Sequence, residues 1–469
     1  MEARIAIEPE ILDRLKSIVG PQGWIEDEHD KAGYLVDFRN LYQGASPLVL
    51  RPASTEEVSA IVTLCAEAGV GIVPQGGNTG YCGGATPHES GSEIVLALTR
   101  MNRILDIDPL DDTITVEAGC VLADIQEAAD STDRLFPLSL AAEGSCQIGG
   151  NLSTNAGGTA VLRYGNARSL ALGLEVVLPD GQVWDGLRLL RKNNTGYDLK
   201  QLFIGAEGTL GIITAATLKL YPRPLETCTA FVALANTEAA VKLLARTKDA
   251  SGDGTTTFEY LHRSCLDLVF ALDQTLADPF GERHQHYALI EMSANQAIAE
   301  AVLGDAFEAE EVADAVIAAS GGQSTALWKL RESIPEAQNH AGGVIRHDVS
   351  VPVSRVPNFL ERARGAADAM IEGVRVAPFG HIGDGNIHFN LVQPDGADRT
   401  EFLERTHEIE VKIHDIATDL EGSFSAEHGI GQLKRDELAR YKQPVEREMM
   451  LRIKTALDPK GLMNPGKVL

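Results

Sequence analysis

The chain has 469 residues, of which 44% are hydrophobic and 23% charged, a composition typical of a globular protein of two or three domains and not of a disordered one. Its 41 basic and 67 acidic residues give a net charge of −26, which disfavours binding to nucleic acid or to anionic membranes. Six widely spaced cysteines without a C-x-x-C pair argue against a disulfide framework, and no apolar run approaches the ~18 residues of a membrane span. We therefore expect a cytoplasmic protein that is not an integral membrane protein.

Residues 1–45 are predicted to form an N-terminal helical segment. Its first 20 residues carry charges every few positions, which indicates an amphipathic helix without the apolar core of a signal peptide. Short β-like runs then alternate with glycine-rich loops up to residue 224, and a helix over residues 55–68 opens with an N-cap signature at Ser54. The strands predicted in this region cover residues 72–74, 93–97, 113–117, 174–178 and 217–220.

The sequence changes character at Pro222-Arg223-Pro224, which marks the predicted domain break. Strands and alanine-rich helices follow over residues 225–425, with helices predicted over 299–319 and 398–419. The last segment, residues 426–469, is predicted to be mainly helical. Because the βα alternation is irregular and no strand–GxGxxG–helix opening is present, we predict an α+β fold and not a doubly wound sheet.

Two glycine-rich loops stand out in the first half. One follows an apolar strand and reads Pro74, Gln75, Gly76, Gly77, Asn78, Thr79 and Gly80; the other spans residues 143–158 and contains five glycines. A third segment, residues 204–214, is also rich in glycine and leads into a predicted strand. Glycines allow successive backbone N–H groups to converge on phosphate oxygens, so the loops indicate a large phosphate-containing cofactor. The alternative is that the glycines serve only tight turns in a β-rich domain.

A histidine-containing segment, residues 379–390, gives the most specific local indication of a metal site. Asp384-Gly385 between apolar runs predicts a two-residue hairpin turn, in which His381 would lie directly opposite His388. The two imidazoles would then form a metal clamp, whereas a longer turn would shift the register. The Glu427-His428 pair in residues 425–431 offers a third ligand, and two histidines with one carboxylate are typical of a catalytic metal site. The alternative is a set of hydrogen-bonded structural histidines.

The loops at 74–80 and 143–158 and the Gly-Ala-Glu-Gly-Thr-Leu-Gly-Ile run at 205–212 resemble the FAD-binding domain of the vanillyl-alcohol-oxidase-type flavoproteins. The resemblance implies a two-lobed FAD-binding domain (PCMH-type) at 46–224, and then a substrate or cap domain at 225–425 with an antiparallel sheet covered by helices. The C-terminal segment 426–469 would return to the FAD domain. Since the first loop has Asn78 where some relatives have a flavin-linking histidine, we expect non-covalent FAD. The resemblance also implies a set of cofactor-binding residues. They are all the residues of the first loop (74–80) and, in addition, Glu143, Gly144, Gly149, Gly150, Ser153, Asn155, Gly157, Gly158, Glu207, Gly208, Gly211, Ile212 and Asn464.

The order of the FAD loops, Gly-His-x-Gly-Asp-Gly-Asn-x-His, Glu-His-Gly-x-Gly and a terminal Met-Asn-Pro-Gly-Lys resembles the FAD-dependent D-2-hydroxyacid dehydrogenases. This branch oxidises small anionic 2-hydroxy acids such as D-lactate, glycolate and D-2-hydroxyglutarate. The resemblance implies a divalent metal, with zinc the first choice, bound by His381, His388 and Glu427, and His428 as the catalytic base. It is compatible with an electron acceptor such as electron-transfer flavoprotein, quinone or a cytochrome, and with a homodimer, none of which a motif in the sequence decides.

The substrate residues implied by the resemblance are Arg331, Arg346 and Asn390. A second cation at Arg346 favours a dicarboxylate, D-2-hydroxyglutarate. Pro335 stands where hydroxyglutarate-type relatives tend to carry a threonine, which keeps D-lactate or a glycolate-like acid open as the alternative. More distant alternatives are a metal-dependent hydrolase and a non-catalytic flavin- or metal-binding protein.

Overall fold

The computed structural model describes residues 7–469. The strands in this part of the chain are β1 Trp24–Ile25, β2 Val49–Leu50, β3 Gly71–Gln75, β4 Glu93–Ala97, β5 Ile104–Asp108, β6 Thr113–Glu117, β7 Arg134–Leu135, β8 Ala171–Val177, β9 Val183–Gly186, β10 Ile212–Lys219, β11 Tyr221–Pro222, β12 Cys228–Leu234, β13 Thr255–His262, β14 His286–Met292, β15 Val312–Ile317, β16 Val344–Ile345, β17 Val349–Ser350, β18 Arg375–Gly380 and β19 Asn386–Val392. The α-helices are α1 Pro9–Val19, α2 Glu28–Leu35, α3 Thr55–Ala68, α4 Leu122–Asp130, α5 Ile148–Ser153, α6 Val161–Tyr164, α7 Ala167–Leu170, α8 Lys200–Phe203, α9 Thr237–Ser251, α10 Arg263–Leu272, α11 Gln296–Glu308, α12 Gly321–Glu332, α13 Ile334–His340, α14 Val356–Met370, α15 Arg399–Glu404, α16 Thr406–Asp419, α17 Arg435–Tyr441 and α18 Pro444–Leu457. Two 3₁₀ turns lie at Val353–Arg355 and Ile382–Asp384.

The chain divides into two compact units. The first comprises the chain up to Gly157 together with Gly165–Arg223 and Glu427–Leu469, and the second comprises Gly158–Tyr164 and Pro224–Ala426. None of the helices in residues 7–469 has the combination of length and hydropathy needed to cross a bilayer. All six cysteines are free and buried.

The first unit contains two main sheets, which account for its two-lobed form. One has the strand order β1-β2-β4-β3, with β2 and β3 both parallel to β4. The other is antiparallel in the order β5-β6-β10-β8-β9. The C-terminal segment joins this unit because Met463 forms a parallel bridge with Ile72 of β3. Helix α3 begins as predicted, since the Ser54 hydroxyl accepts from the backbone N–H of Glu57 at 3.3 Å.

The second unit is built on a large antiparallel sheet with the order β15-β12-β14-β13-β18-β19-β16, beside which β17 pairs with β19. Alternate residues of each strand enter two different cores, so the sheet is buried on both faces. One face packs on α9, α11, α14 and α16. The other packs on α10, α12 and α13. The predicted α+β class, with an antiparallel sheet covered by helices and a helical C-terminal segment, is confirmed.

The helix predicted over residues 299–319 is wrong in its second half. Helix α11 ends at Glu308, Glu310 has a left-handed backbone with φ 57°, and residues 312–317 form the edge strand β15. Strand β15 pairs with β12 over Ala230↔Ile317 to Leu234↔Val312. Pairing with a distant strand therefore overrides the helical preference of this alanine-rich segment.

Candidate active site

The first two glycine-rich loops of the first unit touch at the end of β3. A Cβ atom on Gly77 would lie 2.0 Å from the carbonyl oxygen of Ser145, and one on Gly76 would lie 3.4 Å from the side chain of Gln147. A side chain at position 77 would thus collide with backbone of the second loop. Glycine is required there because the two loops approach each other closely.

The third glycine-rich segment joins the same cluster. The backbone N–H of Gly205 donates to Leu152, and that of Glu207 donates to Ser153, at 3.0 and 2.8 Å. The Asn464 amide donates to the carbonyl oxygens of Gly84 and Glu207, both at 2.8 Å. Three segments that are widely separated in sequence and the C-terminal segment therefore meet within one unit.

Several residues predicted to bind the cofactor shape these loops. Asn78, Asn155, Glu207 and Asn464 all have positive φ, between 41° and 54°. The Asn78 amide donates to Val36 at 2.8 Å, and the Asn155 side-chain oxygen accepts from the N–H of Arg168 at 3.0 Å. These side chains hold the backbone in left-handed conformations, which asparagine tolerates better than most residues.

The remaining predicted residues lie in or beside the same loops. Gln75 is buried and donates to Tyr34 and Ala85, both at 2.9 Å. Gly157 ends the first segment of the first unit, whereas Gly158 begins the short segment assigned to the second. The Ser153 hydroxyl donates to Gly149, and the Glu143 carboxylate accepts from Ser139, both at 2.7 Å. The other predicted residues lie in or next to the same segments, namely Pro74, Thr79, Gly208, Gly211 and Ile212.

The loop cluster fits a large polar cofactor such as FAD. A Cβ at Gly80, Gly144 or Gly150 would have no atom within 4 Å. The side-chain oxygens of Gln147 and Asn151 are buried without a hydrogen-bond partner among residues 7–469. Open backbone beside buried polar atoms that lack partners is what a cofactor with hydroxyl and phosphate groups would complete.

Glu207 links this cluster to the Glu-His-Gly-x-Gly segment. Its two carboxylate oxygens accept from the backbone N–H groups of Ile430 and Gly431, at 2.7 and 2.8 Å. Burial raises the pKa of Glu207, and the two N–H donors act in the opposite direction. The ring of Tyr81, next to the first loop, contacts the His428 imidazole edge-on with centroids 4.7 Å apart. The segment that carries His428 is therefore fixed within the first unit.

The predicted two-residue hairpin turn is wrong. Strand β18 pairs with β19 so that Phe379, not His381, lies opposite His388. The connection is a longer turn that contains a 3₁₀ segment. Within it, the backbone N–H groups of Asp384 and Asn386 both donate to the backbone carbonyl oxygen of His381, at 3.1 and 3.2 Å. Even so, the rings of His381 and His388 lie with centroids 5.7 Å apart. The two histidines meet because one directly follows β18 and the other is near the start of β19.

The expected metal ligands are divided between the units: His381 and His388 lie in the second, and Glu427 opens the last segment of the first. Glu427 directly follows Ala426, whose N–H donates to the carbonyl oxygen of Asp348 at 3.1 Å. Two imidazoles and a carboxylate are a donor set that zinc, manganese and iron accept.

The three predicted substrate residues differ in their surroundings. Arg331 is buried in α12, and its Nε donates to Glu259 at 2.6 Å. Asn390 is also buried. Its side-chain N–H donates to the side-chain oxygen of Gln338 at 2.8 Å, and its side-chain oxygen accepts from the backbone N–H of His347 at 3.2 Å. Arg346 is half-buried and donates to Asn339. Asn390 is therefore already committed to protein partners, whereas Arg331 lies in a charged cluster beside the histidines.

Glu259 in β13 belongs to this site, although no sequence motif indicated it. It is fully buried, and its second oxygen bonds Nδ1 of His381. Burial alone would raise the pKa of Glu259, but the charges of His381 and Arg331 and their hydrogen bonds lower it to about 2. The carboxylate is thus ionised where it contacts the Arg331 guanidinium and the His381 imidazole.

Residues 46–186 match the FAD binding domain family, and residues 223–468 match the family described as FAD linked oxidases, C-terminal domain. The chain belongs to the FAD-linked oxidase family. It is 38% identical to the D-2-hydroxyglutarate dehydrogenase, mitochondrial, of Arabidopsis thaliana over 97% of this chain and 80% of that protein. It is 36% identical to the D-2-hydroxyglutarate dehydrogenase of Stutzerimonas stutzeri (strain A1501) over 98% of this chain and 99% of that protein. The resemblance to the FAD-dependent D-2-hydroxyacid dehydrogenases is confirmed.

Two solved structures show the same fold as this FAD-linked oxidase. p-Cresol methylhydroxylase with substrate bound aligns with a TM-score of 0.75 at 17% identity, over 98% of this chain and 96% of that one. Alkyldihydroxyacetonephosphate synthase aligns with a TM-score of 0.74 at 18% identity, over 98% and 86% of the two chains. These structures confirm the two-lobed FAD-binding fold expected from the loops. The family match and the dehydrogenase relatives make the protein an FAD-dependent dehydrogenase acting on a CH–OH donor.

Proposed function

We propose that this enzyme oxidises D-2-hydroxyglutarate to 2-oxoglutarate with non-covalent FAD. The observation that carries the proposal is the 36–38% identity, over almost the whole chain, to D-2-hydroxyglutarate dehydrogenases. The contacts among the three glycine-rich segments and the pair of His381 and His388 support it. When bound, FAD supplies the two-electron acceptor for the C2 hydride.

The remaining chemistry is assigned to side chains of this chain. We propose that His381, His388 and Glu427 bind a divalent metal, zinc by first preference, which would polarise the substrate hydroxyl. His428 then takes the hydroxyl proton, because a neutral imidazole near pH 7 is suited to general-base catalysis. The edge-on contact with Tyr81, next to the first FAD loop, supports this assignment because it places the imidazole beside that loop.

Two arginines are assigned to the two substrate carboxylates. Arg331 is buried beside the histidines and would bind the carboxylate next to the reacting carbon. Arg346 would bind the distal carboxylate. Asn390 is retained as a substrate residue that would contribute one further hydrogen bond, and its amide is oriented by Gln338 and by the N–H of His347.

D-lactate is the second candidate substrate. Pro335 lies in the first turn of α13, where it offers no hydroxyl to a longer acid. A shorter substrate would not need that donor. We further propose electron-transfer flavoprotein or a quinone as acceptor, a homodimer, and the cytoplasm as location. The relatives from Arabidopsis thaliana and Danio rerio are named as mitochondrial, and six free buried cysteines fit any reducing compartment.

An anaerobic absorption experiment tests the proposed reaction. The purified protein is expected to show flavin bands near roughly 375 and 450 nm. Addition of D-2-hydroxyglutarate should bleach the 450 nm band, whereas L-2-hydroxyglutarate should not. Bleaching by D-lactate alone would keep the reaction and change the substrate. A colourless protein that cannot be reconstituted with FAD would contradict the proposal.

The same assay tests the base. In His428→Asn the bleaching rate should fall about 10²–10⁴-fold, because proton removal then depends on water. The flavin content should stay at the wild-type level. His29→Asn, at an exposed position of α2, is the matched control and should react like wild type. Equal rates in the two variants would exclude His428 as the base.

A further inference from the structure

Glu259 is a carboxylate in the middle of the sheet of the second unit. It lies in β13 between Phe258 and Tyr260, two residues of the core under α9 and α14, so its own side chain faces the opposite layer, that of α10, α12 and α13. The residue is 0% exposed. Burial of a charge is costly, and a buried ion pair seldom contributes much net stability. A stabilising salt bridge is therefore a weak explanation for a glutamate at this position.

The partners of Glu259 suggest a different explanation. One oxygen accepts from Nε of Arg331 at 2.6 Å, and the other bonds Nδ1 of His381. The Arg331 guanidinium also lies over the ring of Phe379, 4.6 Å from its centroid. A single carboxylate thus joins the arginine assigned to substrate and a histidine assigned to the metal.

The atoms used in these contacts matter as much as the residues. Because Glu259 engages Nδ1 of His381, this residue would bind a metal through its other ring nitrogen, Nε2. Metal-bound histidines commonly donate their other ring N–H to a carboxylate, which fixes the ring and increases the basicity of the ligand nitrogen. Because Glu259 engages Nε of Arg331, the two terminal nitrogens of the guanidinium are not used by this carboxylate.

We infer that Glu259 is a positioning residue shared by the metal and substrate sites, orienting His381 for the metal and Arg331 for the substrate carboxylate. The inference rests on the proposed function. It predicts that one substitution weakens metal binding and substrate binding together. A residue that only stabilised the sheet would leave both affinities unchanged in the folded protein.

Glu259→Gln is the test variant, because glutamine keeps the size of the side chain and removes its charge. Glu291→Gln is the matched control, since Glu291 lies in the neighbouring strand β14 and contacts Thr229 instead of the site. The zinc dissociation constant is measured by competition with a chromophoric chelator. KM and kcat are measured with D-2-hydroxyglutarate. We expect Glu259→Gln to raise the zinc dissociation constant about 10–100-fold and to raise KM, while Glu291→Gln stays within about twofold of wild type.

A second variant covers the case in which Glu259→Gln does not fold. Glu259→Asp keeps the charge but is too short to reach both partners, so zinc affinity, KM or both should change. Folded, FAD-containing variants with wild-type zinc affinity and KM would overturn the inference. Wild-type protein that binds zinc but oxidises no D-2-hydroxy acid would contradict the proposed function, yet the zinc measurement would still test Glu259. Wild-type protein that binds no zinc, manganese or iron would overturn both.

Discussion

The surroundings of His262 show how one buried side chain can make stability depend on pH. Its Nδ1 bonds the Ser264 hydroxyl at 2.8 Å, and its Nε2 accepts from Arg364 at 3.2 Å. Burial, followed by the positive charges of Arg364 and His286, lowers the pKa of His262 to about 3. The folded protein therefore keeps this imidazole neutral at pH values where an unfolded chain would protonate it.

Because the folded pKa of His262 lies below the unfolded value, acid favours the unfolded state. The contribution of the neutral imidazole is fully present above about pH 6.5 and is lost as the pH falls toward the folded pKa. When the pH is lowered from 7.5 to 5, protonation of this group in the unfolded chain should reduce the free energy of unfolding by about 2 kcal/mol. Urea denaturation of wild type and His262→Gln at both pH values checks this. The loss between the two pH values should be smaller in the variant, and an equal loss in both proteins would contradict the assignment.

Glu259 was the part of the site that the sequence could not indicate. It is the one carboxylate of β13, and its partners Arg331 and His381 lie 72 and 122 positions away. No local spacing links such residues. The histidines and the glycine loops, by contrast, lie in short motifs whose chemistry is visible in consecutive residues.

At the scale of elements, local signals located strands and helices better than they located turns. Strands β4 and β6 and helix α3 have the predicted bounds. The hairpin register was missed because the turn packs against distant backbone: a Cβ on Gly385 would lie 2.0 Å from the carbonyl oxygen of Val351. The 299–319 segment was missed for the same kind of reason, since β15 exists only through its pairing with β12. Tertiary contacts decide both cases.

The contact between the first two glycine loops gives a prediction at this scale. Gly77→Ala places a methyl group 2.0 Å from the Ser145 carbonyl, so one loop must move. The purified variant should contain less FAD, measured as the ratio of absorbance at the flavin and protein bands. Gly304→Ala, in α11 with no atom within 4 Å of the new methyl, is the control and should keep full FAD. Wild-type FAD content in Gly77→Ala would show that the loop contact is not needed for the cofactor.

At the scale of the whole molecule, the predicted chemistry is divided along the chain. Most residues of the FAD loops belong to the first unit together with Glu427 and His428, while His381 and His388 belong to the second, and no FAD loop contains a predicted metal ligand. The net charge of −26 also means that an anionic substrate depends on local cations such as Arg331 and Arg346. Flavin binding and metal binding should therefore be separable by experiment.

Removal of the metal tests this separation. Dialysis against a chelator should lower turnover of D-2-hydroxyglutarate at least about tenfold, because the hydroxyl then loses its polarising cation. The 450 nm absorbance should stay constant, since no FAD loop contains a predicted metal ligand. Zinc, manganese and ferrous iron are then added back separately, and the ion that restores turnover at the lowest concentration is assigned to the site. Loss of flavin together with the metal would contradict separate sites, and full turnover by metal-free protein would exclude the metal from the reaction.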